Sequence, residues 1–325
     1  MSRSVSRPRK APSAAAVILP IVLAGALSCA GGVRAADWVE RPYDPPVGSR
    51  WIIQLDTSTE DERSDHVQKT ARAMTSDMTV EEKLADGFRV TYVVRKAAYQ
   101  GDTRTAALVE PLNKVFENLI IRATIGANGA PLHIDNLDEV DTAVHAAIDR
   151  SAAALPSKPE ADALQRLAKQ MFVADEKQAP KIYLSALATL ALGQNTGLHP
   201  GETRREVGEA PNPFGGAPIK SNTTLTIDSA DPATGKVRFL RTAAFDPDAI
   251  RDFLGKLARR LGIGEAQKLD DLLGQFAIAL DSRTEIEVED GMTRSIRQDD
   301  TANATFQDQT TVKRAHKLMT VAPAP

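Results

Sequence analysis

Residues 88–99 read FRVTYVVRKAAY, and this stretch decides the fold class. Apolar side chains recur at every second position, which places them on one face of a β-strand. These positions are Phe88, Val90, Tyr92 and Val94. The pair Asp86-Gly87 stands immediately before them and is typical of a tight turn. The pattern therefore predicts a strand that follows a turn and buries one face.

Weaker patterns of the same kind predict strands on both sides of this stretch. In the first part of the chain they cover residues 50–57, 65–79, 118–126 and 131–135, with a hairpin turn at Asn128-Gly129. In the second part they cover 219–229, 236–244, 276–288, 292–304 and 306–321, with a turn at Asp290-Gly291. Consecutive strands joined by short turns are antiparallel. The order is not a regular alternation of strand and helix, which disfavours a Rossmann or barrel enzyme.

Helices are predicted mainly between the two groups of strands. They cover residues 137–154, 159–174 and 180–192, with two more at 247–260 and 265–274. Residues 103–117 could form a short helix or a loop, because Pro111 interrupts them. Residues 194–217 contain five Gly and three Pro and are expected to form a long loop or linker. We therefore predict an α+β fold, with one or more antiparallel, curved β-sheets covered by helices.

The N-terminus carries the features of a secretory signal. Residues 1–10 hold four basic residues and no acid, and residues 14–30 are apolar. Small residues then suit signal-peptidase cleavage between Ala35 and Ala36. A membrane anchor is the alternative, but the apolar run is short for a span and contains Pro20. The sequence predicts a periplasmic or secreted protein with no transmembrane span in its mature form.

Cys29 offers a second way of processing the N-terminus. The segment 26–29 reads ALSC and is similar to a bacterial lipobox, in which the cysteine becomes the lipidated first residue. Ala26 and Leu27 depart from the usual residues of that motif, so we favour cleavage at Ala35. A lipoprotein anchored to a membrane through Cys29 remains the alternative.

The predicted domain order follows from these elements. It runs 1–35 signal peptide, 36–48 extended segment, 49–155 first β-rich half, 156–200 helical connection and 201–322 second β-rich half. The segment Pro46-Val47-Gly48-Ser49 is loosely echoed by His199-Pro200-Gly201-Glu202. The echo is short, so a duplication stays an open alternative.

Charge and cysteine content exclude several classes of site. The 325 residues carry a net charge of −3, which gives no electrostatic reason to expect a nucleic acid. Removal of residues 1–35 leaves 35 basic and 43 acidic residues, a net charge of −8. The chain has one cysteine, so an intramolecular disulfide and a cysteine-rich metal site are both excluded.

Candidate chemical sites are few. Asp56-Thr57-Ser58 lacks the Gly of an aspartic protease, and the sequence holds no second Asp-[Thr/Ser]-Gly for the pair of carboxylates such an enzyme needs. The five histidines are scattered, at positions 66, 133, 145, 199 and 316. His133 and His145 could converge on a metal only if a helix folded back on a strand. We predict no catalytic, metal or cofactor site, and the enzyme question stays open with a non-enzyme favoured.

The order of elements resembles that of secreted bacterial proteins of unknown function built from β-rich halves. It is also similar to periplasmic lipoprotein carriers of the LolA/LolB type, over residues 48–321 and on turns such as Asn128-Gly129 and Asp290-Gly291. The resemblance implies a concave apolar surface that could hold an acyl chain or a partner segment. We expect an exported envelope protein that binds a hydrophobic ligand, a lipid or a protein partner. The alternatives are a secreted hydrolase whose site forms only in three dimensions, and a structural or assembly protein of the envelope.

Overall fold

A computed structural model describes most of the chain beyond the N-terminal segment. The described residues are 40–63, 66–155, 157–172, 175–210, 219–246, 249–250, 252, 255, 276–306 and 309–325. All of them belong to one compact unit, Val33–Pro325. The predicted signal peptide, with Cys29, Ala35 and Ala36, lies outside the described residues. The predicted helix 265–274 and most of the predicted helix 247–260 lie outside them too.

Within the described residues, eleven strands form one antiparallel sheet. Strands β1 to β5 are Arg50–Arg63, His66–Leu84, Gly87–Gln100, Ile120–Gly126 and Pro131–Ile134. Strands β6 to β11 are Thr203–Ala210, Ile219–Asp231, Lys236–Phe245, Phe276–Glu289, Met292–Phe306 and Gln309–Pro323. Their order in the sheet is β5-β4-β3-β2-β1-β11-β10-β9-β8-β7-β6. Two meanders thus meet at the centre, where β1 pairs with β11 from Trp51 opposite Pro323 to Glu62 opposite Val312.

Between β3 and β6, the described part of the chain contains five α-helices. They are α1 (Thr103–Lys114), α2 (Leu137–Ala153), α3 (Lys158–Phe172), α4 (Ala179–Tyr183) and α5 (Ser185–Leu190), followed by a 3₁₀ turn at Ala191–Gly193. An antiparallel sheet with helices confirms the predicted α+β fold class. None of the described helices is both long and apolar enough to span a membrane.

Several local predictions are confirmed. Gly129 adopts φ 77°, and its N–H donates to the carbonyl oxygen of Gly126, as a hairpin turn at Asn128-Gly129 requires. Asp290 and Gly291 adopt φ 53° and 75° between β9 and β10. Pro111 lies inside α1, so the open question at residues 103–117 is settled as a helix up to Lys114.

Two predictions need correction. The loop expected over 194–217 contains a strand, β6, because Thr203–Ala210 pairs with β7 at the edge of the sheet. This strand has no apolar face, and even Val207 is 82% exposed. The single helix expected over 180–192 is divided into α4, α5 and the 3₁₀ turn. The break falls at Leu184, whose φ and ψ of −118° and 27° are not helical.

The helices cover one face of the sheet, which we call the inner face. Trp51 and Ile53 of β1 point to this face and are buried. The helices contribute buried residues to the same core, among them Leu112, Val140, Val144, Ile148, Leu164, Tyr183, Leu187 and Leu190. The opposite, outer face carries mainly polar side chains, such as Gln54 and Asp56 of β1, which are exposed.

Candidate functional site

The pairing registers arrange the inner face in rows that cross the strands. Leu55 of β1 lies opposite Met74 of β2 and Met319 of β11, which gives an apolar row. Two residues further along the strands the row is polar. It comprises Arg72, Thr57, Lys317, Gln298, Thr284 and Arg241, on β2, β1, β11, β10, β9 and β8 in turn. We call this second set the inner polar row.

Lys317 marks the edge of the helical cover. Its Nζ donates to Oγ1 of Thr189 in α5, over 3.0 Å. Burial lowers the pKa of Lys317, and the nearby carboxylate of Asp300 opposes that shift. A cation held where burial disfavours its charge needs a negative partner, and Asp300 supplies part of that need.

The desolvation of Arg72 is compensated less than that of Lys317. Its Nε is buried and has no hydrogen-bond partner among the described residues. Burial lowers the pKa of Arg72, and Tyr92 is the group that opposes this shift. A buried guanidinium nitrogen without an acceptor carries its desolvation penalty in full. An acidic oxygen placed beside Arg72 would offset that penalty.

Arg241, at the other end of the row, is better balanced. Its Nη2 donates to Oγ1 of Thr223 over 3.3 Å. Burial lowers the pKa of Arg241, while Glu206 and Asp300 oppose the shift. The positive charge of the inner polar row is therefore least neutralised at its β2 end, near Arg72.

That end of the row adjoins accessible apolar surface. Leu55 and Met74 pack against the core but are only partly buried. The inner face thus combines, within two residues along the same strands, hydrocarbon surface and a guanidinium with one buried nitrogen that lacks an acceptor. Chemically, such a border suits a molecule with an apolar chain and one acidic group.

A recess of about 440 Å³ lies on the outer face. Its lining includes the small side chains of Ala71, Ala73 and Ala98, beside Leu318. His316 of β11 also lines it, between Ser58 of β1 and Asp299 of β10. Nδ1 of His316 lies 2.5 Å from Oδ1 of Asp299. The recess thus contains a histidine and a carboxylate in direct contact.

The residues singled out in the sequence are divided between these two places. Asp56, Thr57 and Ser58 all line the outer recess, and the pairing register places the side chain of Thr57 in the inner polar row. His133 and His145 are not brought together. Nδ1 of His133 lies 3.3 Å from Oε1 of Glu176. Nδ1 of His145 lies 2.8 Å from the carbonyl oxygen of Asp141. Within the described part of the chain, no group of three His, Cys, Asp or Glu side chains could hold a metal ion.

Sequence reasoning missed Arg72 and Lys317 as members of a site. The signal that could have found them is the phase of the period-two pattern. Met74 and Met319 point inward, so Arg72 and Lys317, each two residues away along its strand, must point inward as well. A cation at an inward-facing position of a strand is unusual and indicates a role beyond solubility.

Comparisons with known proteins give weak likenesses. No family model matches the chain, and no curated protein matches it. The solved structure "Lipid-protein interactions in lipovitellin" matches with a TM-score of 0.45 and 9% identity, over 86% of this chain and 26% of that chain. An outer membrane channel from Pseudomonas putida F1 matches with a TM-score of 0.18 and 8% identity, over 86% and 97% of the two chains. Ail, the attachment invasion locus protein of Yersinia pestis, matches with a TM-score of 0.12 and 4% identity, over 85% and 100%.

The match covers 26% of the lipovitellin chain, so this chain spans about a quarter of that protein's length. With TM-scores of 0.45 and below, these likenesses carry no argument about fold or function.

Proposed function

We propose that the protein is an exported bacterial envelope protein that binds an anionic amphiphile on the inner face of its sheet. The ligand class is a molecule with one acidic group and a hydrocarbon chain. The observation that carries the proposal is the position of Arg72. A buried nitrogen without an acceptor lies beside the partly exposed Leu55 and Met74.

Each half of the ligand has its own partner in this arrangement. The acidic group accepts hydrogen bonds from Arg72, and Lys317, on the far side of Thr57, adds positive charge. The hydrocarbon chain lies against Leu55 and Met74. Burial of apolar surface contributes about 25 cal/mol per Å², so the chain supplies affinity and the charge supplies selection.

The rest of the inner face restricts where the ligand can lie. Beyond Leu55, Ile53 and Trp51 are buried in the core that strand and helix side chains share. The ligand therefore lies at the border of the helical cover and not under it. This differs from the fully concave apolar surface that the resemblance to lipoprotein carriers implies.

Binding of dodecanoate tests the proposal. Displacement of a fluorescent fatty acid from the purified full chain gives the affinity for dodecanoate and for its methyl ester. We expect dodecanoate to bind more tightly than the ester. Arg72→Gln should weaken dodecanoate binding at least about tenfold, because a charge-assisted hydrogen bond contributes roughly 1.5–3 kcal/mol. Binding of the ester should be unaffected by the substitution.

The matched control is Arg205→Gln, which removes an exposed arginine from β6. It should bind both ligands as the unsubstituted chain does. Equal affinity for the acid and the ester, or an Arg72→Gln variant that binds dodecanoate normally, would overturn the proposal.

The export part of the proposal is supported by the basic and apolar N-terminal sequence. Its test is the mass of the mature protein recovered from bacteria. A chain that begins at Ala36, or at a lipidated Cys29, agrees with export. A chain that keeps Met1 to Ala35 does not.

A further inference from the structure

The outer recess holds three residues that lie in one row across three neighbouring strands. Ser58 of β1 lies directly opposite His316 of β11, and His316 lies directly opposite Asp299 of β10. Side chains of directly opposed residues lie on the same face, with Cβ atoms about 4.5–5.5 Å apart. All three residues line the recess.

The contact between His316 and Asp299 fixes the orientation of the imidazole ring. Nδ1 of His316 lies 2.5 Å from Oδ1 of Asp299. Since β11 lies between β10 and β1, Ser58 flanks His316 on the side opposite Asp299, and Nδ1 is the ring nitrogen that Asp299 occupies. This is the order of a serine nucleophile, a histidine base and an aspartate that orients the base.

From this row we propose that Ser58 and His316 are the catalytic residues of a serine-dependent ester hydrolysis site, with Asp299 as the positioning residue. The substrate class is a carboxylic ester with a small acyl group. The side chains of Ala71, Ala73 and Ala98 leave the space that such an acyl group needs.

Arg297 completes the charge arrangement. It lines the recess and lies two residues before Asp299 on the same face of β10. Its guanidinium is positioned to stabilise the negative oxygen of a tetrahedral intermediate. The backbone N–H groups of a strand within the sheet are used by the pairing and are not free for this role.

The reaction balances with water as the second reactant. Oγ of Ser58 forms a bond to the carbonyl carbon, and its proton passes to Nε2 of His316. The bond from that carbon to the alcohol oxygen then breaks, and the alcohol leaves with the proton from His316. Water then loses a proton to His316 and bonds to the acyl carbon. The bond between that carbon and Oγ of Ser58 breaks, the acid is released, and Oγ takes the proton back from His316.

Several charged side chains lie near His316 and affect the pH dependence of the labelling rate. Glu60 of β1 and Arg314 of β11 form the adjacent row on one side. Asp56 of β1 and Arg297 of β10 lie on the other side, in the row of Leu318. Asp299 touches the ring itself.

A fluorophosphonate probe tests the proposal on the full chain. Attack by Ser58 forms a P–O bond and breaks the P–F bond, and peptide mass spectrometry identifies the labelled residue. We expect the label on Ser58, and His316→Gln should slow labelling at least about 100-fold, since general base catalysis contributes 10²–10⁴-fold. Ser58→Ala should abolish it.

Matched controls are Ser295→Ala and His133→Gln, a serine and a histidine of other strand positions. Both should label as the unsubstituted chain does. The Asp299→Asn variant should be labelled more slowly, and Asp299→Glu should recover part of the labelling rate. The pH at which the labelling rate reaches half its maximum should also differ between Asp299→Asn and the unsubstituted chain. Label on a residue other than Ser58, no label at all, or equal rates with and without His316 would overturn the proposal.

Discussion

At the scale of single residues, Lys317 should lower the stability of the protein. Burial lowers its pKa below the ordinary value of 10.5, with only partial compensation from Asp300. The unfolded chain therefore binds the proton more tightly, and stability rises with pH up to that ordinary value. We expect Lys317→Met to raise the free energy of unfolding at pH 7 by about 1 kcal/mol, because the buried ammonium carries a desolvation penalty that a methionine side chain does not.

Urea unfolding at pH 7 and pH 9.5 measures this effect. The gain from Lys317→Met should be smaller at the higher pH, where the native lysine more readily loses its proton. A variant less stable than the unsubstituted chain at both pH values would show that Lys317 contributes to folding instead. The same variant should bind dodecanoate more weakly.

Asp77, on the outer face, should behave in the opposite way. Its side chain is 7% exposed. Burial alone would raise its pKa, but hydrogen bonds from Arg95 and Arg50 outweigh burial and lower the pKa below the ordinary 3.8. The stabilisation is therefore present at neutral pH and is lost as the pH falls through the lowered pKa of the folded state.

We expect Asp77→Asn to lower the free energy of unfolding by about 1–2 kcal/mol at pH 7, since it weakens two charge-assisted hydrogen bonds. The difference should shrink in unfolding measurements at pH 3. The control is Asp228→Asn, which breaks an exposed pair with Arg238 and should change stability by less than about 0.5 kcal/mol. Equal effects of the two substitutions would contradict this account.

At the scale of elements, Gly193 sets how closely the 3₁₀ turn approaches the sheet. A Cβ at Gly193 would lie 2.5 Å from Cγ2 of Ile286 and 3.0 Å from Cγ2 of Val288. Gly193→Val should therefore push the turn from β9 and lower the free energy of unfolding by about 1–3 kcal/mol. Gly208→Ala, at a site with nothing within 4 Å, is the control and should be close to neutral. An equally mild Gly193→Val would refute the close approach.

The sequence indicated most elements because their local signals were strong. Alternation of apolar residues identified β3, and Asn128-Gly129 identified the turn between β4 and β5. Two elements were missed or misjudged for physical reasons. The strand β6 has no apolar face, so no alternation of apolar residues marks it. Leu184 interrupts a helical segment without Gly or Pro at that position.

Local sequence patterns could not have revealed either candidate site. Arg72, Thr57 and Lys317 come from both ends of the chain and meet only because β1 pairs with β11. The same pairing brings Ser58 to His316. Turn residues set the register within a hairpin, but no turn joins β1 to β11, so their register could not be deduced from the sequence.

At the scale of the whole molecule, the continuous sheet predicts a graded pattern of hydrogen exchange. Amides in the central strands β1 and β11 should exchange last, because both neighbours protect them. Amides in β5 and β6, at the two edges, should exchange first. Mass spectrometry of exchange in native buffer measures this order. Two separate units, one for each predicted β-rich half, would instead leave β1 and β11 no better protected than the edges.

The central claim is that an anionic amphiphile binds the inner face beside Arg72. Photocrosslinking with a diazirine-bearing fatty acid, followed by peptide mass spectrometry, tests it most directly. The account predicts crosslinks in the peptides that contain Leu55 and Met74, and their loss in Arg72→Gln. Crosslinks confined to the edge strands β5 and β6, or crosslinks that persist unchanged in Arg72→Gln, would contradict it.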